Sequence, residues 1–333
     1  MSDNQYSNNS DNNSSGSSSN GGLSLVARFR ILLPFNIVST ISTFIVLFHI
    51  FINRRARTNI KNHIFIILLI FGLTVQLIDV PLYLNFIVHG AVVPATPVTC
   101  LTWKFVDTGL YIGLICLMGW MAFERHIIVF HERLLATRKR RIIIHYIPIS
   151  IIILYYVIYY MYVLMFYPCE NSYDYTSVYC GYSVCYTNNI NLKTWDTIVN
   201  NVIPPLLEPL MTLSFLFRVI WHKHRSHQPM HWRKHRKMAI QLFALSIPNF
   251  FINFPVDVLL IAQLCGIPSN LGDNMLAYFY FLSYFVIFIF SFICLVSFID
   301  IKKIVQEKIV GRRSVATVAP TRIALRPTTY GAT

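Results

Sequence analysis

Charge is what this sequence has least of. Only 13% of its 333 residues are Asp, Glu, Lys or Arg, about half the share found in soluble domains. Acids are the scarcer sign, 14 against 28 bases, which leaves a formal net charge of +14. Hydrophobic residues make up 55% and mean hydropathy is +0.53. That balance excludes an ordinary soluble fold. It also excludes disorder over most of the chain, which needs low hydrophobicity and high charge. Catalytic signatures are missing as well: there is no phosphate-cradling glycine loop, no H-E-x-x-H and no G-x-S-x-G. The expectation is a protein that is not an enzyme and holds no cofactor.

What remains reads as an all-α membrane protein. Residues 1–22 are almost wholly Ser, Asn, Asp and Gly. No basic stretch leads there into an apolar one, so the segment reads as a disordered tail and not as a signal peptide. Apolar runs follow at 31–53, 62–88, 98–128, 142–167, 196–220, 238–264 and 274–299, each at or above the roughly 20 residues that span hydrocarbon. A chain in lipid must satisfy its own backbone groups, so a seven-transmembrane helix bundle is expected. The parts are a disordered tail over 1–27, a bundle over 28–310 and a second disordered tail over 311–333.

The bases set the orientation. Arg28, Arg30, Lys104 and Lys193 fall on one side, and the other 24 of the 28 on the opposite side. The positive-inside rule makes the richer side cytoplasmic, with the N-terminus outside and the C-terminus inside. The basic excess is therefore a topology and lipid-headgroup signal, and nucleic acid is not an expected partner. Two features agree with this topology. The N-x-S triplets at Asn8, Asn12 and Asn13 fall in the outer tail as candidate glycosylation sites. Cys100, Cys169, Cys180 and Cys185 all fall on the outer side, where disulfides persist, whereas Cys116, Cys265 and Cys294 lie in or near apolar runs as expected buried thiols.

The third run, CLTWKFVDTGLYIGLICLMGWMAFERHIIVF, opens on Cys100 and closes on Glu124-Arg125-His126. The arginine stands 125 − 100 = 25 residues after the cysteine, a helical rise of about 37 Å, which puts each at its own membrane face. This pattern resembles the third helix of rhodopsin-like (class A) G-protein-coupled receptors, with Asn62, Pro81, Pro204 or Pro205, and Pro255 as weaker matches. The chain departs from that family elsewhere. Gly72 stands at the usual sodium-binding Asp, Asn253 at the usual switch tryptophan, and Phe290-Ser291-Phe292-Ile293-Cys294 at the seventh-helix Asn-Pro-x-x-Tyr motif. It looks like a divergent, orphan branch.

The resemblance implies a plasma-membrane receptor for an extracellular small-molecule or peptide ligand, coupled to a heterotrimeric G protein and to arrestin, with a short amphipathic eighth helix. It implies that Glu124, Arg125 and His126 form the G-protein switch, with Glu124 restraining Arg125. It implies a disulfide from Cys100 to the second outer loop. Cys185 is the expected partner because it precedes Pro204 and Pro205 by 19–20 residues, a usual interval in the family; Cys169 and Cys180 would then bridge each other. Asp107 lies seven residues after Cys100, and Tyr111 four further on, along one helical face. In this family that register holds the aspartate that pairs with an amine. Asp107, Tyr111 and Asn253 are therefore the candidate ligand contacts, and the alternative is a structural Asp107 held by Tyr111 or Lys104.

Three other membrane acids need placing. Asp79 and Asp257 lie toward the outer ends of their helices, where a wet vestibule is expected, and Glu208 is expected to pair with polar neighbours. His222, His224, His227, His231 and His235 fit no zinc spacing and read as a solvated basic loop, so no metal site is expected. A seven-span transporter or channel is the competing function.

Overall fold

A computed structural model describes residues 24–131, 137–181, 184–225, 232–268 and 272–298. The glycosylation triplets, the eighth helix and both tails beyond these bounds lie outside the described residues. Seven helices are long and apolar enough to cross a membrane: α1 Leu25–Ile52, α2 Asn62–His89, α3 Pro97–Phe130, α4 Arg138–Phe166, α5 Ile190–Trp221, α6 Ile240–Leu264 and α7 Met275–Phe298. The described residues contain no strand. The expected spans are present, but α1 and α5 start earlier than hydropathy alone places them. Capping chemistry sets both starts. Ser24 Oγ accepts from Ala27 N at 3.3 Å, and Asn189 Oδ1 accepts from Asn191 N at 3.0 Å, each satisfying a backbone donor that a helix start leaves open.

Successive helices alternate in direction. Arg54, Arg55, Arg57, Arg138, Lys139, Arg140 and Arg141 therefore gather at one end of the bundle, here the basic end, and the disulfides at the other, the cysteine end. Helix α3 is central and touches α2, α4 and α5, while α1 packs on α2 and α7, and α6 bridges α5 to α7. Tight approach of α3 to α4 depends on Gly109, where an added Cβ would sit 3.1 Å from the Tyr160 Cβ.

The bundle is inside-out relative to a soluble one. On α1 the buried face carries Asn36, Ser39, Ser42 and Thr43 beside Leu32, Val46 and Ile50, whereas Ile37, Val38, Ile41, Phe44 and Ile45 point outward. The polar face meets α2 and α7: Gln76 Nε2 donates to Ser39 Oγ at 2.9 Å and to Ser291 Oγ at 3.1 Å. Thr43 Oγ1 lies 2.9 Å from Ser291 Oγ. Hydrocarbon offers these groups nothing, so they bond each other.

The disulfide expectation needs correcting. Cys100 bonds Cys180, and Cys169 bonds Cys185. The reason lies in the loop between α4 and α5. Tyr179 and Cys180 adopt left-handed backbone, φ 56° and 57°, which turns the loop down into the bundle. The Tyr179 ring packs 5.0 Å from the Trp103 ring, and its hydroxyl lies 3.0 Å from that of Tyr284. That insertion delivers Cys180 to Cys100. Cys185 stays at the base of the loop beside Cys169, its N–H donating to Asn171 Oδ1 at 3.0 Å. Among the thiols, Cys294 is buried as expected and Cys116 partly so, but Cys265 is exposed, because it follows the end of α6 instead of lying within it.

Candidate functional site

Helices α3 to α7, with the inserted loop, enclose a cavity of about 380 Å³ toward the cysteine end. Asp107, Tyr111 and Asn253 all line it, so two neighbours on α3 and a residue of α6 about 140 positions later face one space. Asp107 is half-buried and lies within electrostatic reach of Lys104, one turn earlier on α3. The Lys104 ammonium in turn lies 5.9 Å from the centroid of the Tyr179 ring. Asn253 is buried and anchored, its Nδ2 donating to Asn249 Oδ1 at 2.7 Å.

The other acids divide by how well they are satisfied. Asp79 accepts from Trp103 Nε1 at 2.7 Å and from the Tyr284 hydroxyl at 3.0 Å. It is only 1% exposed: not a vestibule residue, but the knot joining α2, α3 and α7. Asp196 accepts from Tyr160, Tyr186 and Asn200, each at 2.9 Å. Glu208 accepts from Ser246 at 2.7 Å and from Thr212 and Asn249 at 3.2 Å, as expected of it. Asp257 is also buried, against the vestibule expectation. Its Oδ2 has no donor among the described residues. Asp79, Asp107 and Asp196 each lie in a wide π-helical turn, a distortion that often accompanies functional positions.

At the basic end of α3, Glu124 and Arg125 are 1% and 2% exposed, too buried for a snorkelling helix end. Glu124 Oε1 lies 2.6 Å from His145 Nδ1 of α4, so its close partner is a histidine that hydropathy reading passes over. The Arg125 guanidinium lies 5.2 Å from the Phe65 ring centroid of α2. The His126 ring packs 5.5 Å from that of Phe215 on α5. Both α3 ends are thus tied down, one by a disulfide to the inserted loop and one by a buried carboxylate–imidazole contact to α4. Among the described residues no group of His, Cys, Asp and Glu is placed to hold a metal.

Sequence reasoning missed Asp196 and His145. The first sits in a polar stretch, INLKTWD, that reads as loop until the Asn189 cap is recognised. The second is a lone histidine inside IIIHYIP, and that isolation was its only signal. Comparison of the chain with protein-family models and with curated proteins returns no match. The length and apolar composition of the seven helices among the described residues make the chain a multi-pass membrane protein.

Proposed function

We propose that this chain is a divergent rhodopsin-like G-protein-coupled receptor of the plasma membrane, with the N-terminus and the disulfides outside. A small extracellular ligand occupies the cavity and touches Asp107, Tyr111 and Asn253. It shifts the bundle between two arrangements, and the basic end then engages a heterotrimeric G protein, with arrestin as the terminating partner. One observation carries the reading: a single helix, α3, lines the cavity with Asp107 and Tyr111 and carries the buried Glu124–Arg125 pair at its far end. A movement of α3 would report cavity occupancy at the basic face. The test is nucleotide exchange on a panel of G proteins with the reconstituted chain. Glu124→Gln is expected to raise basal exchange and Arg125→Ala to abolish it at equal folded yield. Full exchange in Arg125→Ala would overturn the mechanism.

A transporter is the second reading, and α6 is what favours it. Ser246, Asn249, Asn253 and Asp257 form a buried polar stripe along that helix, and the stripe reaches Glu208. Polar residues inside a membrane bundle often mark a path for ions or protons. Solute-dependent or proton flux in proteoliposomes without G-protein exchange would select this reading.

A further inference from the structure

Asp257 stands apart from the other buried acids of the described residues. It is 2% exposed, and its Oδ2 meets no hydrogen-bond donor among the described residues. The comparison within the bundle is direct: Asp79 has two donors, Asp196 three, Glu208 three, and Glu124 has His145. Taking a carboxylate out of water with nothing opposite it is costly, and in a membrane bundle more so. The cations of the cavity do not serve it. Lys104 lies on α3, a turn from Asp107 and beside the Tyr179 ring, and Lys193 is exposed at the rim.

A second open group adjoins it. The Tyr111 hydroxyl is buried beside Asn253 and Ser283, without a bond of good geometry to either. Tyr111, Asp257, Val256, Leu276 and Tyr280 all line the same cavity. An unpartnered carboxyl group and a free hydroxyl among apolar and aromatic walls are complementary to an ammonium group on a small hydrocarbon or aryl body. At about 380 Å³ the cavity lies at the small end of ligand sites, which favours a small organic molecule over a peptide.

We propose that Asp257, with the Tyr111 hydroxyl, binds the protonated amine of a small organic ligand, so that the cation anchor of the cavity lies on α6 and not at Asp107. This rests on the cavity being the ligand site. It differs from the expectation drawn from the sequence because Asp107 already has Lys104 beside it, whereas the Asp257 Oδ2 meets no donor among the described residues.

The test uses the full chain in lipid nanodiscs with two probes of matched shape, 2-phenylethylammonium and the neutral 2-phenylethanol. Binding is read by calorimetry and by ligand-induced thermal stabilisation. The ammonium is expected to bind and stabilise, and the alcohol to do neither at equal concentration. Asp257→Asn is expected to weaken ammonium binding at least about 30-fold, the loss typical of removing one partner from a buried charge pair. Asp107→Asn is expected to weaken it by less than about 5-fold. Without probe, Asp257→Asn is expected to melt at or above the parent temperature, because it removes an unpaired buried charge. The proposal is overturned if the ammonium binds no better than the alcohol, or if the large loss falls on Asp107→Asn. A markedly lower melting temperature for unliganded Asp257→Asn would also overturn it, since that marks a structural acid. G-protein nucleotide exchange on the same samples separates the two claims. Ammonium binding without exchange in any G protein removes the receptor reading and keeps the site. Basal exchange without ammonium binding removes the site and keeps the receptor.

Discussion

Replacing His145 by Phe isolates the contact that ties α3 to α4 at the basic end. Phenylalanine keeps a ring against Tyr146, whose centroid lies 4.7 Å away, and against His63 at 5.6 Å, but removes the nitrogen 2.6 Å from Glu124 Oε1. Glu124 Oε2 already has no donor among the described residues, so the variant leaves both carboxylate oxygens bare in a 1% exposed site. Removing the one close partner of a buried carboxyl group costs roughly 3–5 kcal/mol. Glu124→Gln is milder, about 1 kcal/mol, because the amide oxygen still accepts from His145 Nδ1. The double variant removes the bare charge, so its cost is expected to fall short of the sum by about 1.5 kcal/mol, near the upper end for interhelical bonds in a bilayer. At about 2–4 °C per kcal/mol, His145→Phe is expected to melt some 6–20 °C below the parent in nanodiscs, and the double variant to recover about 3–6 °C of the summed loss. Additivity within about 0.5 kcal/mol would refute the argument, because it would mean that Glu124 does not depend on His145.

Three further outcomes are expected. Peptide mapping of the unreduced protein yields a Cys100–Cys180 and a Cys169–Cys185 peptide, and a Cys100–Cys185 peptide contradicts the loop geometry. Because the sequence separations are 80 and 16 residues, the chain-entropy limit is about 4.5 kcal/mol for the first bridge and about 3 for the second. Cys100→Ser/Cys180→Ser therefore lowers the melting temperature more than Cys169→Ser/Cys185→Ser does. In the loop, hydrogen bonds from Ser177 and Thr176 hold the Asp174 carboxyl below its ordinary 3.8. The turn they close is intact above that value and loosens as pH falls through the lower, folded-state value. Amide exchange at Thr176 then speeds up in acid, and Asp174→Ala, fast at every pH, loses the dependence. Gln76→Leu strips the shared donor from Ser39 and Ser291 and costs about 1–2 kcal/mol, read as a melting-temperature drop of about 2–8 °C.

The seven spans were legible because lipid forces it: an uninterrupted apolar run of bilayer length has no other stable conformation. The start of α5 was not, because Asn189 caps a polar turn that hydropathy scores as loop. Asp107, Tyr111 and Asn253 were found together because two of them share one helical face, i and i+4, and the third sits two residues before a helix-kinking proline. Disulfide connectivity was beyond reach, since four cysteines allow three pairings and the choice rests on two left-handed residues, Tyr179 and Cys180. Burial direction was also hidden. Depth along a helix follows from residue number, but whether Asp79 and Asp257 meet water or a tyrosine depends on α7 and on a loop about 100 residues away from Asp79 and 80 from Asp257, which no local pattern records.

The polar face of α1 has a consequence for how the protein is made. Thr43 meets Ser291 across 248 residues of sequence. At ribosomal rates of about 5–20 residues per second, α1 waits on the order of 10–50 s before its final neighbour exists. During that interval Gln76 of α2 can already serve Ser39, but the contacts of Thr43 and Gln76 to Ser291 cannot form. A chain halted before α7 leaves those two contacts unmade indefinitely. Such a fragment offers cellular quality control a ready mark of incompleteness, and the arrival of the last helix erases it.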